Sequence, residues 1–233
     1  MAERTKTGIE EFDKVIEGGL ITNSVNLLAG GTGTGKTIFC LQFLYNGAKQ
    51  YNEKGIYISF EESIEDLKTD AAVLGLDFNA LSSKVKFVHI PLYKLGNFSS
   101  YLKNEVSEFR PKRLIIDSIS ALAMPMEDDF ERRKEVNLVK EALKEINCTS
   151  ILISEVTSES AMGNESGGSF SRYSIEEFLC DSLIVLYYAG IGGESDRAIR
   201  VVKMRKTNHS RGPIPMEIGK FGIKVSKSKF LRH

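Results

Sequence analysis

The segment Gly30-Gly-Thr-Gly-Thr-Gly-Lys-Thr37 constrains this chain more than any other, because it fits the spacing G-x-x-x-x-G-K-[ST] in full. An apolar run, Ser24–Gly30 (SVNLLAG), precedes it and reads as a strand. Thr37–Tyr51 follows, and its Phe39, Leu41, Phe43 and Leu44 read as one helix. Strand, glycine-rich turn and helix in that order make a phosphate-binding loop. The glycines let consecutive backbone N–H groups converge on an anion, and the start of the helix adds a favourable dipole. The spacing assigns Gly31, Thr32, Gly33, Thr34, Gly35, Lys36, Thr37 and Ile38 to the phosphates of a nucleotide. Within that set Lys36 spans the β- and γ-phosphates and Thr37 offers its hydroxyl to Mg²⁺.

A loop of this kind needs a second oxygen ligand for the metal at the end of a neighbouring buried strand. Arg113-Leu-Ile-Ile-Asp117 supplies three apolar residues and then a carboxylate, so Asp117 joins Thr37 as a metal residue. Read alone, Asp117 is equally a turn former closing a strand; the upstream loop decides between the two. Hydrolysis also needs a group that orients or deprotonates water. Glu61 and Glu62 follow directly on the strand Gly55–Phe60 (GIYISF), where a carboxylate faces the γ-phosphate. The alternative for both is a favourable charge at the start of the next helix, Ser63–Leu74, which opens on a Ser63/Asp66 cap.

The rest of the chain repeats the alternation. Val85–Ile90, Arg113–Asp117 and Thr149–Glu155 read as strands, separated by helices over Phe98–Phe109 and Asp129–Ile146. This predicts an α/β fold with a mainly parallel twisted sheet and helices on both faces. Ser182–Tyr188, Ala198–Arg205, Ile214–Ile218 and Phe221–Val225 then succeed one another without helices. They predict an antiparallel C-terminal extension, with hairpin turns at Gly192–Gly193 and around Lys220. No repeat or linker divides the 233 residues, so one domain over 1–233 is expected. Thr157–Ser174, rich in Ser and Gly, is the one long irregular stretch and is expected to be functional or unstructured. Cys40, Cys148 and Cys180 lack the paired spacing of disulfides or zinc sites and read as core residues. No apolar run is long enough to span a bilayer, and the first residues lack a hydrophobic signal core, so a cytoplasmic protein without a membrane role is expected.

Taken together, these motifs identify a family. The chain resembles the RecA-superfamily ATPases, and within them the single-domain KaiC-like proteins of archaea. The resemblance is carried by Thr7-Gly-Ile-Glu-Glu-Phe-Asp13, Gly18-Gly19-Leu20, Phe60-Glu61-Glu62-Ser63 and Leu114-Ile-Ile-Asp117-Ser118, and further by Glu176-Glu177-Phe178, Asp181-Ser182 and Lys203-Met-Arg205. It implies a RecA-like domain that binds ATP with Mg²⁺ and hydrolyses it slowly, in a hexameric ring of identical subunits with ATP at their interfaces. It also implies a regulatory or signalling role read by a protein partner. By the same resemblance, Lys203 and Arg205 reach the neighbouring subunit's γ-phosphate. Strand periodicity places the two on one face whatever they do. The family's autophosphorylating domains carry adjacent hydroxyl residues where this chain has Glu177-Phe178, so no phosphate transfer is expected there.

Two other readings compete. A recombinase-like DNA-binding ATPase would grip single strands with loops after the metal-binding strand and after the next one. Here the first carries Glu127, Asp128 and Asp129, and the second sets Arg172 against Glu159 and Glu165, which disfavours phosphate. With the loop beginning at residue 30, no separate DNA-binding domain ahead of it is expected. Charge distribution speaks the other way. The chain holds 31 basic and 31 acidic residues, but Arg197–His233 carries eleven Lys and Arg against one acid, Glu217. That polarity serves either a nucleic acid or a neighbour's acidic side, and subunit assembly accounts for it. The last reading is an ATP-binding switch without significant hydrolysis.

Overall fold

The computed structural model describes residues 2–94, 98–156, 170–173, 176–190 and 196–226. A short antiparallel pair, β1 (Arg4–Thr5) and β2 (Leu20–Ile21), brackets helix α1 (Glu10–Val15). Asp13 organises this entry segment. Its carboxylate accepts from the Thr7 N–H (2.8 Å), the Thr7 hydroxyl (2.7 Å) and the Gly8 N–H (3.0 Å). The turn before the glycine-rich loop contains neither Pro nor Gly. Asn23 takes φ 60° there, a left-handed value that Asn tolerates, and the Ser24 hydroxyl closes the turn on the Ile21 carbonyl at 2.6 Å.

The alternating region follows as β3 (Val25–Gly30), α2 (Lys36–Gln50), β4 (Gly55–Ser59), α3 (Ile64–Val73), β5 (Val85–His89), α4 (Phe98–Phe109) and β6 (Arg113–Asp117). It continues with α5 (Ile119–Ala123), α6 (Asp129–Ile146), β7 (Thr149–Glu155), α7 (Glu176–Leu179) and β8 (Ser182–Tyr188). Then come β9 (Arg197–Met204), β10 (Ile214–Gly219) and β11 (Gly222–Val225). One nine-stranded sheet runs β11-β10-β9-β8-β3-β7-β6-β4-β5. From β8 to β5 every pairing is parallel, and β9, β10 and β11 join antiparallel, as the sequence predicts. Gly219 pairs with Gly222 across the Lys220–Phe221 turn. The second expected turn at Gly192–Gly193, residues 157–169 and 174–175 of the long irregular stretch, and the tail 227–233 lie outside the described residues.

Parallel strands covered on both faces must be apolar on both. Leu28, Tyr57, Ile115 and Ile151 point to the layer under α2 with Phe39 and Phe43, while Leu27, Ile58, Leu114, Ile116 and Leu152 point to the layer under α4 and α6. Cys40, Cys148 and Cys180 are free and buried in these layers. Ser63 caps α3, accepting from the Asp66 N–H. The short helices α1, α5 and α7 were not legible in the sequence, because four to six residues carry too little periodicity. No helix among the described residues is long and apolar enough to cross a membrane.

Candidate nucleotide-binding site

Strand register decides what meets at the carboxyl edge of the sheet. Gly30 pairs with Glu155 of β7 and with Leu186 of β8, and Ser59 of β4 pairs with Asp117 of β6. The glycine-rich loop, the residues following β4 and the end of β6 therefore open onto one edge, where parallel α/β sheets place their ligands. A cleft of about 200 Å³ lies there, lined among others by Thr32, Gly33, Lys36, Thr37, Glu61, Glu62 and Asp117.

The loop is held by its own backbone. Gly33 and Gly35 take φ 73° and 100°, and a Cβ on Gly35 would lie 2.8 Å from Ile218 Cδ1. Thr34 is buried and donates its hydroxyl to the Gly31 carbonyl at 2.9 Å, while Ile38 packs against the core. Lys36 Nζ donates to the Gly30 and Gly31 carbonyls at 2.9 and 2.8 Å. Burial lowers the pKa of its ammonium, and Glu155 and Asp117 oppose that shift. Asp117 Oδ2 accepts a hydrogen bond from the Tyr57 hydroxyl at 2.5 Å. Its carboxyl is raised from 3.8 to about 6, chiefly by loss of hydration, with the Tyr57 hydrogen bond working in the opposite direction.

The two glutamates sit on a pinned turn. The Ser59 hydroxyl accepts from the Glu62 N–H at 3.0 Å and donates to the Glu62 carbonyl at 2.8 Å. His89 Nδ1 lies 2.8 Å from that same carbonyl. The Glu62 carboxyl is raised, first by partial burial and then by Asp70, Asp66 and Glu61. Glu61 is exposed at the cleft with its side chain free to meet solvent. The donor set fits a hard divalent cation. Thr37 and Asp117 supply oxygen only, Asp117 Oδ1 takes no hydrogen bond from a described residue, and two protein ligands leave positions for water and phosphate, as Mg²⁺ prefers.

Lys203 and Arg205 are elsewhere. Lys203 pairs with Leu183 near the start of β8, at the amino edge of the parallel strands. The six residues of β3 separate that edge from the loop, about 20 Å of strand. Lys203 Nζ donates to the Glu177 and Cys180 carbonyls at 3.2 and 2.8 Å, closing the end of α7, and Arg205 lies 3.7 Å from Asp181. Neither residue meets the cleft of its own chain.

A family model described as "ATPase: KaiC" matches residues 5–230. The chain belongs to the KaiC ATPase family. It is 31% identical to the circadian clock oscillator protein KaiC of Parasynechococcus marenigrum over 96% of this chain and 44% of that protein. Against KaiC of Parathermosynechococcus lividus it is 32% identical, over 95% of this chain and 42% of that one. It thus spans under half the length of these clock relatives. The crystal structure of a KaiC-like protein from the hyperthermophilic archaeon Pyrococcus horikoshii OT3 matches with a TM-score of 0.84 at 37% identity, covering 97% of this chain and 100% of that one. The expected α/β architecture is therefore that of a KaiC-like neighbour of the RecA fold.

Three residues at or beside the KaiC-like cleft escaped the sequence reading. Tyr57 looked like one more apolar strand residue. Glu155 ends an apolar run just as Asp117 does, but only strand order shows that β7 lies beside β3. Arg197 follows no motif, yet its guanidinium stacks 3.9 Å from the centroid of the Tyr188 ring and donates to the Gly33 carbonyl.

Proposed function

We propose that this chain is a Mg²⁺-dependent ATPase that works as a ring of identical subunits, six by family resemblance, with a regulatory role. The observation that carries the reading is the convergence of Lys36, Thr37, Glu61, Glu62 and Asp117 on one cleft, from three separate stretches of sequence. The loop's N–H groups and Lys36 bind and orient the triphosphate. Thr37 and Asp117 would hold a Mg²⁺ ion, which would supply positive charge to offset that of the phosphates. Glu61 accepts a proton from, or aligns, the attacking water, and Glu62 keeps the turn's charge directed at the cleft. Thr32 and Gly33 line the same cleft.

Lys203 and Arg205 lie at the opposite edge, so in this reading they serve the cleft of the next subunit. There a delocalised cation offsets charge developing in phosphoryl transfer. Glu177-Phe178 offers no hydroxyl to accept phosphate, which supports hydrolysis over autophosphorylation. The test is Mg²⁺-ATP turnover by the purified protein, with and without single-stranded DNA at moderate salt. Turnover that needs Mg²⁺ and ignores DNA is expected. Strong stimulation by DNA would overturn the ring-regulator reading in favour of a recombination-type ATPase, and ATP binding without turnover would make the protein a switch.

A further inference from the structure

We propose that Tyr57 is a positioning residue for the cleft cation: it holds Oδ2 of Asp117, leaving Oδ1 as the single carboxylate oxygen offered to the metal. The proposal rests on the Mg²⁺-nucleotide reading of the cleft and adds a selectivity element to it. Tyr57 stands on β4 and Asp117 ends the adjacent β6, where Ser59 and Asp117 are register partners. The Tyr57 ring is fully buried and stacks on Phe87 at 5.8 Å and 18° between planes. Phe87 meets Phe78 edge to face at 5.0 Å. The phenol oxygen thus projects from a rigid aromatic stack to Asp117 Oδ2, 2.5 Å away.

Chemistry fixes the direction of this bond. A buried phenol needs a partner, and an ionised carboxylate can only accept, so the proton is Tyr57's to give. A carboxylate tethered at one oxygen by a donor that cannot rotate away has its orientation set before any metal arrives. Outer-shell partners of this kind are worth about 10- to 100-fold in metal affinity. The tether also selects. Mg²⁺ demands octahedral geometry and takes one oxygen per carboxylate, whereas Ca²⁺ tolerates a carboxylate that grips with both. With Oδ2 engaged by Tyr57, Asp117 is built for the smaller ion.

The experiment titrates Mg²⁺, and separately Ca²⁺, into the stoichiometric complex of the full-length protein with ADP, by calorimetry, for the native chain and Tyr57→Phe. Thermal melting establishes that the variant is folded. Mg²⁺ affinity is expected to fall about tenfold in Tyr57→Phe while Ca²⁺ affinity holds or rises. ADP affinity in EDTA should stay unchanged, which a general loss of structure would not allow. A folded Tyr57→Phe with the native Mg²⁺ to Ca²⁺ ratio overturns the proposal and leaves the cleft reading standing. A native protein that binds ADP but shows no Mg²⁺ binding removes both. Should Tyr57→Phe fail to fold, infrared difference spectra of the native protein on Mg²⁺ addition decide. The Asp117 carboxylate bands, assigned by their loss in Asp117→Asn, should show the wide splitting of single-oxygen binding, and a narrow chelate splitting overturns the proposal.

Discussion

Asp117 carries two demands that conflict. In the proposed role of metal ligand it must be ionised, yet burial at the end of β6 disfavours its charge and lifts its pKa from 3.8 to about 6. Above pH 6 the folded protein therefore holds a carboxylate that the unfolded chain solvates better. Below 3.8 both forms are protonated and the penalty disappears. Asp117→Asn should accordingly raise the stability of the nucleotide-free protein at pH 7 by up to about 3 kcal/mol. The gain should shrink between pH 6 and 4, measured by denaturant melts across that range, while Mg²⁺-dependent turnover is lost. Glu61 is the simpler case, an exposed carboxylate at the cleft mouth. Glu61→Gln should lower turnover by about 100-fold or more and leave ATP binding and assembly intact, as read by single-turnover kinetics and fluorescent nucleotide titration. Unchanged turnover would remove Glu61 from the water-activating role. Both residues were legible because each directly follows an apolar run. Tyr57 was not, since its function begins only where β4 meets β6.

Helix α2 is where local propensity and tertiary demand disagree. Its first residue follows Gly35, whose left-handed φ turns the loop into the helix. Gly47 lies in the last turn of the same helix, where replacement by Ala normally stabilises by up to about 1 kcal/mol. Here a Cβ would lie 2.2 Å from Arg113 Nε. Arg113 is buried at the start of β6, donates to Glu53 at 2.6 Å and to the Phe43 carbonyl at 2.8 Å, and lies 4.4 Å from the Phe43 ring centroid. Gly47→Ala should thus destabilise by about 2–4 kcal/mol, because it displaces a buried guanidinium from its partners. Chemical denaturation measures this, and a stabilised variant would show that the helix can shift away from Arg113. Nothing in the run GAKQ signals the requirement, since Gly47 and Arg113 are 66 positions apart.

Across the whole molecule, charge and site geometry share one polarity. The cleft is acidic through Glu61 and Glu62, with Asp66 and Asp70 near enough to raise the Glu62 carboxyl, and the amino edge of the parallel strands carries Lys203 and Arg205. If Arg205 completes the neighbour's cleft, Arg205→Ala should slow turnover while nucleotide still binds. A mixture then separates cis from trans action. Glu61→Gln subunits keep Arg205, and Arg205→Ala subunits keep Glu61, so in randomly mixed rings roughly a quarter of interfaces combine both intact halves. Turnover should reappear on mixing two inactive proteins, and continued inactivity would place Arg205 in a cis or structural role. Assembly should weaken with added salt, followed by light scattering, because complementary surface charge is screened over about 10 Å at 0.1 M.

The order of strands and helices, the phosphate loop and the carboxylates of the cleft are local in origin. Each is written in a few consecutive residues whose apolar periodicity and terminal polar group need no distant partner to be read. The Ile21–Ser24 turn and the Ser63 cap belong to the same class, being closed by bonds within three residues. Strand order is different. That β3 inserts between β7 and β8, bringing Glu155 beside the loop, follows from pairings over more than a hundred residues. The same long-range pairing sets Tyr57 against Asp117, Arg197 on Gly33, and Lys203 with Arg205 at the edge away from their own cleft. Those placements depend on which buried faces pack together, and only the tertiary structure holds that information.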